Sequence, residues 1–162
     1  MSDNVTPFRR PPKRPVAPQQ RGGMGFKTHR GKVVLVHILT LACFAVPFVF
    51  GGVPMVQLIG LGFGIAGAVV AYTTRPEATP WAATHHEQAL RTLLFAFLAM
   101  TLLSLPSYVI PRGAGPDVTG VYMQIYFWGQ LIVLIWAGLR ALVGLVLGVM
   151  RRAVPNPRGW LV

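Results

Sequence analysis

Acidic residues and cysteines are scarce in this chain, and each shortage excludes a kind of site. Only four of the 162 residues are Asp or Glu, against fifteen Lys and Arg, and Cys43 is the one cysteine. A single cysteine excludes an intrachain disulfide and a cysteine metal cluster. Charged residues make up 12% of the chain and hydrophobic residues 53%, whereas a soluble domain is about a quarter charged. The composition therefore indicates a membrane protein.

Two further absences exclude nucleotide and nucleic-acid binding. The glycines lie in apolar segments and not between a strand and a helix, so no phosphate-binding loop is present. The aromatic residues also lie in the apolar segments, which leaves no basic and aromatic surface on which bases could stack. We predict no cofactor and no nucleic-acid partner.

Four long apolar runs are present instead. They predict an all-α integral membrane four-helix bundle built from two transmembrane hairpins. Each run is about as long as the 20 or so residues that a helix needs to cross a bilayer. The transmembrane domain is predicted over 32–152, and its spans lie at about 33–50, 54–73, 89–106 and 122–150. Between the second and third spans, Arg75 to Thr92 is predicted to be a polar loop that leads into the third helix.

The two ends of the chain are predicted to lie outside the bilayer core. Residues 1–31 are rich in Pro, Arg, Gln and Gly, a composition typical of a disordered tail that buries too little apolar surface to fold. Such a basic tail favours binding to anionic lipids. Residues 153–162 form a short C-terminal tail, in which Trp160 is expected at the headgroup level.

The basic residues predict the orientation of the spans. Eight of the fifteen precede Val33, and Arg112 alone lies in a connection on the other side. Five more lie on the same side as the N-terminus: Arg75, Arg91, Arg151, Arg152 and Arg158. The positive-inside rule then predicts a multi-pass membrane protein with both termini in the cytoplasm.

Small residues on the second and fourth spans predict helix packing. Gly60 and Gly64 have a spacing of four residues, as do Gly144 and Gly148. Such spacing lets a neighbouring helix approach closely. A second copy of the chain is an alternative neighbour, which the spacing does not separate from packing within the bundle.

Arg140 is a charged residue well inside the predicted fourth span. A guanidinium that faces lipid costs at least about 2.5 kcal/mol, so it faces protein or extends to the interface. Because Arg140 shares a helical face with Gly144 and Gly148, we expect it to point into the bundle. Glu87 precedes Arg91 by four residues, the favourable order for a helical ion pair. We therefore predict an inter-helix polar cluster of Glu87, Arg91 and Arg140, with His85 beside it.

The cluster has three interpretations: a structural contact that joins the third and fourth helices, a ligand or ion site, and an Arg140 that extends to the interface. We favour the structural one. A metal site at His85, His86 and Glu87, with His37 as a further ligand, is a weaker interpretation than histidines that only form hydrogen bonds at the interface. Adjacent histidines on a helix point about 100° apart and rarely share one metal.

The chain also resembles a known family through a series of residues in order. They are Ala71-Tyr72 and Arg75, Trp81, Thr84-His85, Arg91-Thr92, Trp136, Arg140, Pro155-Asn156-Pro157 and Trp160. This series is similar to that of the Tic-twenty-like family of small bacterial membrane proteins, over about residues 33–160. The family is distantly similar to a component of the chloroplast inner-envelope import translocon. The resemblance implies a four-helix membrane domain in the bacterial inner (plasma) membrane and no established reaction.

These features predict a non-enzymatic membrane protein, an accessory or assembly subunit of a larger inner-membrane complex. Its partner would be another membrane protein or a second copy. The alternative is a small oligomeric channel or protein-translocation component, although the spans carry few polar residues with which to line a wet pore. A membrane enzyme is third, supported only by the sequence His85-His86-Glu87.

Overall fold

The computed structural model describes residues 25–51, 54–109 and 115–160. They form five α-helices and a 3-10 turn at Arg75–Glu77. The helices are α1 (His29–Phe50), α2 (Pro54–Thr74), α3 (Pro80–Ser104), α4 (Pro106–Val109) and α5 (Pro116–Val149). The four longer helices are long and apolar enough to cross a membrane. The predicted all-α integral membrane four-helix bundle is confirmed.

The helices begin where the sequence supplies a capping residue or a proline. The Oγ1 of Thr28 accepts a hydrogen bond from the N–H of Gly31 at 3.0 Å and so caps the start of α1. Each later α-helix has proline as its first residue, at positions 54, 80, 106 and 116. Proline suits this position because its missing N–H would have no partner there and its φ is already helical. The residues at each helix start therefore determine where that helix begins.

Three predicted boundaries differ from those in the structure. The third span, predicted from residue 89, begins at Pro80, and the fourth, predicted from 122, begins at Pro116. Helix α1 also includes residues 29–31, which were predicted to belong to the tail. Hydrophobicity detects only the apolar part of a helix, whereas these helices extend into polar sequence at their ends. Most of the predicted polar loop between Arg75 and Thr92 is therefore the first part of α3.

The long helices pack in a ring in which α1 contacts α2 and α5, and α3 contacts α2 and α5. Helices α1 and α3 also touch across the middle. The apolar core lies at their meeting point and includes Cys43, Phe44, Leu93, Ala96 and Ala137. The outward faces carry exposed apolar side chains such as Leu58, Leu94 and Ile132, as expected for helices in lipid.

The end of the bundle at which α1 and α3 begin and α2 and α5 end is called here the basic end. The C-terminal segment, residues 151–160, folds back over it. Val154 is 2% exposed, and its N–H donates to the Oγ1 of Thr84 on α3 at 3.0 Å. The C-terminal tail is thus part of the folded domain. The predicted disorder of the N-terminal tail concerns mainly residues 1–24, which lie outside the described residues, as does Arg112.

Candidate functional site at the basic end

Seven polar side chains are buried near the basic end, each at most 2% exposed. They are His37, Thr40, His85, His86, Gln88, Thr92 and Arg140. His85, Gln88 and Thr92 are three or four residues apart on α3, so they lie on one face of that helix. Polar groups inside a membrane domain are costly unless they are paired. Their contacts therefore indicate what this site does.

His85 connects three parts of the chain. Its Nε2 lies 2.8 Å from the carbonyl oxygen of Arg152, and its Nδ1 lies 3.1 Å from Nε2 of His37. A carbonyl oxygen can only accept, so Nε2 of His85 is the donor of that bond. In a neutral ring Nδ1 is then an acceptor, and Nε2 of His37 donates to it. One imidazole thus joins α1, α3 and the C-terminal segment.

Glycines on α5 make room for this histidine pair. A Cβ on Gly144 would overlap the ring of His37, and a Cβ on Gly148 would lie 2.6 Å from Cγ1 of Val33. Both glycines therefore lie where α1 packs against α5. Without a side chain at these positions, α1 approaches closely enough for His37 to reach His85.

The second glycine pair lies on α2. A Cβ on Gly60 would be 2.8 Å from the carbonyl oxygen of Cys43, and a Cβ on Gly64 would be 2.7 Å from the Sγ of the same residue. The ring of Phe97 on α3 also lies against Gly64. These glycines thus lie inside this bundle, against α1 and α3.

Arg140 points into the bundle, as expected from its helical face. Its Nε donates to Oγ1 of Thr92 at 3.1 Å, and its Nη1 donates to the carbonyl oxygen of Gly159 at 2.5 Å. Its guanidinium carbon lies 5.4 Å from the centre of the Trp136 ring, within cation–π range. The carbonyl oxygen of Arg140 accepts from Nε2 of Gln88 at 3.3 Å. Arg140 therefore links α3, α5 and the C-terminal segment.

Trp160 completes this link from the C-terminal segment. Its carbonyl oxygen accepts from the Nε1 of Trp136 at 2.7 Å, and its ring centre lies 4.7 Å from that of Phe95. Trp160 thus lies against α3 and α5 while it is 67% exposed. Its expected place at the headgroup level stays a prediction.

Glu87 belongs to a second cluster beside the first. Its carboxylate pairs with Arg91 at 2.8 Å, as the i,i+4 spacing predicts, and also with Arg75. Arg158 of the C-terminal segment lies 3.8 Å away. The contacts described for Arg140 run through Thr92 and Gly159. Arg91 and Arg158 line a small pocket together with Arg140, so Arg91 lies beside both groups of side chains. A single cluster of Glu87, Arg91 and Arg140 stays a prediction. Neighbouring residues on a helix point about 100° apart, so Glu87 pairs with Arg75 beyond the end of α2, while Gln88 and Thr92 contact Arg140 of α5.

The histidines considered as metal ligands point in different directions. His85 faces His37, whereas Nε2 of His86 lies 3.2 Å from Oγ1 of Thr74 on α2. Among residues 25–51, 54–109 and 115–160, no three His, Cys, Asp or Glu side chains are placed to hold a metal ion together. Hydrogen bonding between helices is the role that the geometry gives these two histidines.

A separate cavity of about 490 Å³ opens in the half of the bundle away from the basic end. All four long helices line it, with mostly apolar side chains. Gln57, Tyr126 and Gln130 contribute polar groups, and Cys43 and Phe44 line it beside the apolar core.

Comparison of the chain with protein-family models, curated proteins and solved structures finds no match. The resemblance to the Tic-twenty-like family therefore stays a prediction.

Proposed function

We propose that this chain is a non-enzymatic accessory or assembly subunit of a larger complex in the bacterial plasma membrane. The observation that carries the proposal is the use of the buried polar side chains as links between helices. His37 and His85 join α1 to α3, and Arg140 joins α5 to α3. His85 and Arg140 also donate to backbone carbonyls of the C-terminal segment. Such contacts stabilise a scaffold.

The orientation under this proposal has both termini in the cytoplasm. Arg75, Arg91, Arg151, Arg152 and Arg158 all lie at the basic end. An excess of Lys and Arg is typical of the cytoplasmic side of membrane proteins. The basic N-terminal tail would lie on that side, where anionic lipids or an acidic partner segment can bind it.

A face of α2 offers a docking surface for a partner helix. Gly62 is exposed, and a Cβ added to it would meet no atom within 4 Å. Ala66 is exposed four residues later, so the two form a shallow notch flanked along the helix by Leu58 and Val69. Small residues at this spacing let a second membrane helix approach closely. We propose that the partner subunit packs here.

Replacing Gly62 with Leu tests this surface. Position 62 is exposed and a Cβ there meets no atom within 4 Å, so the bundle should fold as before, whereas a partner helix would be displaced. The measurement is the amount of partner recovered with the tagged chain from native membranes in mild detergent. Gly138→Leu on α5 is the matched control, because a Cβ at Gly138 also meets no atom within 4 Å. Equal recovery with both variants would contradict docking at Gly62.

A small oligomeric channel or translocation component is the second candidate, favoured by the cavity of about 490 Å³. Gln57, Tyr126 and Gln130 supply polar groups inside it. The apolar core around Phe44 and Leu93 lies between this cavity and the basic end, so a pore would have to form between copies. Ion flux through liposomes that contain only the purified chain would favour this candidate over the subunit.

A further inference from the structure

A groove between α2 and α3 combines an apolar floor with a cationic rim. It has a volume of about 350 Å³, and its apolar lining includes Ala68, Leu90, Leu94 and Phe97. Leu94 is 64% exposed, so the groove opens onto the outer surface of the bundle. In a membrane, that surface faces lipid chains. The groove therefore lies where a lipid can enter it sideways.

The rim at the basic end is formed by Arg75, Glu87 and Arg91. The Glu87 carboxylate uses one oxygen for each arginine, Oε2 for Arg75 and Oε1 for Arg91. It thereby holds two guanidinium groups side by side. Arg158 lies near the same carboxylate, so three cations surround one anion and the rim is net positive.

Both rim arginines can bind a second anion while they hold Glu87. Their side chains are 48% and 38% exposed for Arg75 and Arg91, whereas that of Glu87 is 13% exposed. A guanidinium has five N–H donors, and each named contact with Glu87 uses one of them. The remaining donors match the geometry of phosphate oxygens.

We propose that this groove binds an anionic glycerophospholipid of the surrounding bilayer, with its phosphate at Arg75 and Arg91 and one acyl chain along Leu90, Leu94 and Phe97. The apolar floor selects a lipid over a soluble phosphate. The net positive rim selects a headgroup without an ammonium group. Basic pockets between membrane helices bind anionic headgroups in this way. The site is independent of the subunit role, because it needs only the membrane bundle.

The test measures how tightly phosphatidylglycerol stays bound to the purified full chain, by native mass spectrometry from detergent micelles. Phosphatidylcholine and inorganic phosphate serve as the comparison probes. We expect the wild type to retain one phosphatidylglycerol in preference to phosphatidylcholine, and inorganic phosphate not to displace it. The Arg75→Gln/Arg91→Gln variant should bind phosphatidylglycerol about tenfold more weakly or worse.

The control variant is Lys27→Gln/Arg152→Gln. It removes the same number of positive charges from two exposed positions near the basic end that do not line the groove. It should keep the wild-type affinity. The single Arg75→Gln variant should disturb the fold least, because Arg75 is half exposed and lies beyond the end of α2. Its affinity for phosphatidylglycerol should still fall severalfold.

Three results would overturn the proposal. Equal weakening in both double variants would mean that only diffuse charge attracts the lipid. Equal retention of phosphatidylcholine would mean that the cationic rim selects nothing. Displacement by inorganic phosphate would mean that the arginines form an ion site to which the groove contributes nothing.

Discussion

The imidazole of His85 lies between His37 of α1 and the Arg152 carbonyl of the C-terminal segment, with both nitrogens in contact. At the scale of single residues, the bundle depends on such side chains with two partners. Arg140 is another, with Thr92 on one side and Gly159 on the other. Each is buried, so the loss of a partner leaves a polar group away from water.

The histidine pair is tested by a double-mutant cycle. His85→Leu removes both hydrogen bonds and leaves Nε2 of His37 buried without its acceptor, which should lower the free energy of unfolding by about 1–3 kcal/mol. His37→Leu together with His85→Leu removes both polar groups. The double variant should therefore be less damaging than the sum of the single variants, with a coupling energy of about 0.5–3 kcal/mol. Unfolding of the purified protein in mixed micelles gives these energies, and strict additivity would show that the two rings do not interact.

The close approach of α1 to α5 is tested at Gly144. Gly144→Ala places a methyl group against the His37 ring, and we expect a loss of about 1–3 kcal/mol in stability from overpacking. Gly138→Ala on the same helix meets no atom within 4 Å. This control should be neutral or more stable by up to about 1 kcal/mol, because alanine favours a helix more than glycine does. Thermal unfolding of both variants makes the comparison, and equal effects would contradict the packing described for Gly144.

At the scale of elements, the C-terminal segment, residues 151–160, lies across the start of α3 and the end of α5 and connects them. It is called the strap below. It supplies backbone acceptors to His85, Trp136 and Arg140, and its Val154 is buried. This non-helical segment thus provides hydrogen-bond acceptors for these three side chains of the helices.

Truncation after Ala153 tests the strap. It removes the acceptors of Trp136 and of Arg140 Nη1, so stability should fall by roughly 2–4 kcal/mol. Amide hydrogen exchange should rise in the first turns of α3, where Thr84 loses its contact with Val154. Arg158→Gln is the control, since it removes only an exposed charge from the same segment and should cost less than about 1 kcal/mol. A truncated chain as stable as the control would show that the strap does not hold the bundle together.

The elements show which features are readable from sequence and which are not. The apolar runs predict the four spanning helices because burial in lipid requires about 20 apolar residues. The start of α3 is harder to predict, because its signal is Thr79-Pro80 and not hydrophobicity. The contacts of Gly159 and Trp160 have no sequence signal, since they use backbone carbonyls that every residue has. The Glu87–Arg91 pair follows from local spacing, whereas the role of Arg75 depends on how α2 meets α3.

At the scale of the whole molecule, polar links hold the basic end together, and the outward surface is apolar apart from a few features. These are the Gly62 notch, the groove proposed for an anionic lipid and the outer cavity. Under the subunit proposal, the Gly62 notch is the surface that a neighbour in the membrane would contact. The subunit proposal requires a partner protein that stays bound to this chain in the membrane.

The most direct test is the size and composition of the complex extracted from native membranes in mild detergent after brief cross-linking. The subunit proposal predicts one heterologous membrane protein at a fixed ratio to this chain, reduced by Gly62→Leu and kept by Gly138→Leu. A chain that migrates alone, or only with copies of itself, would contradict the proposal.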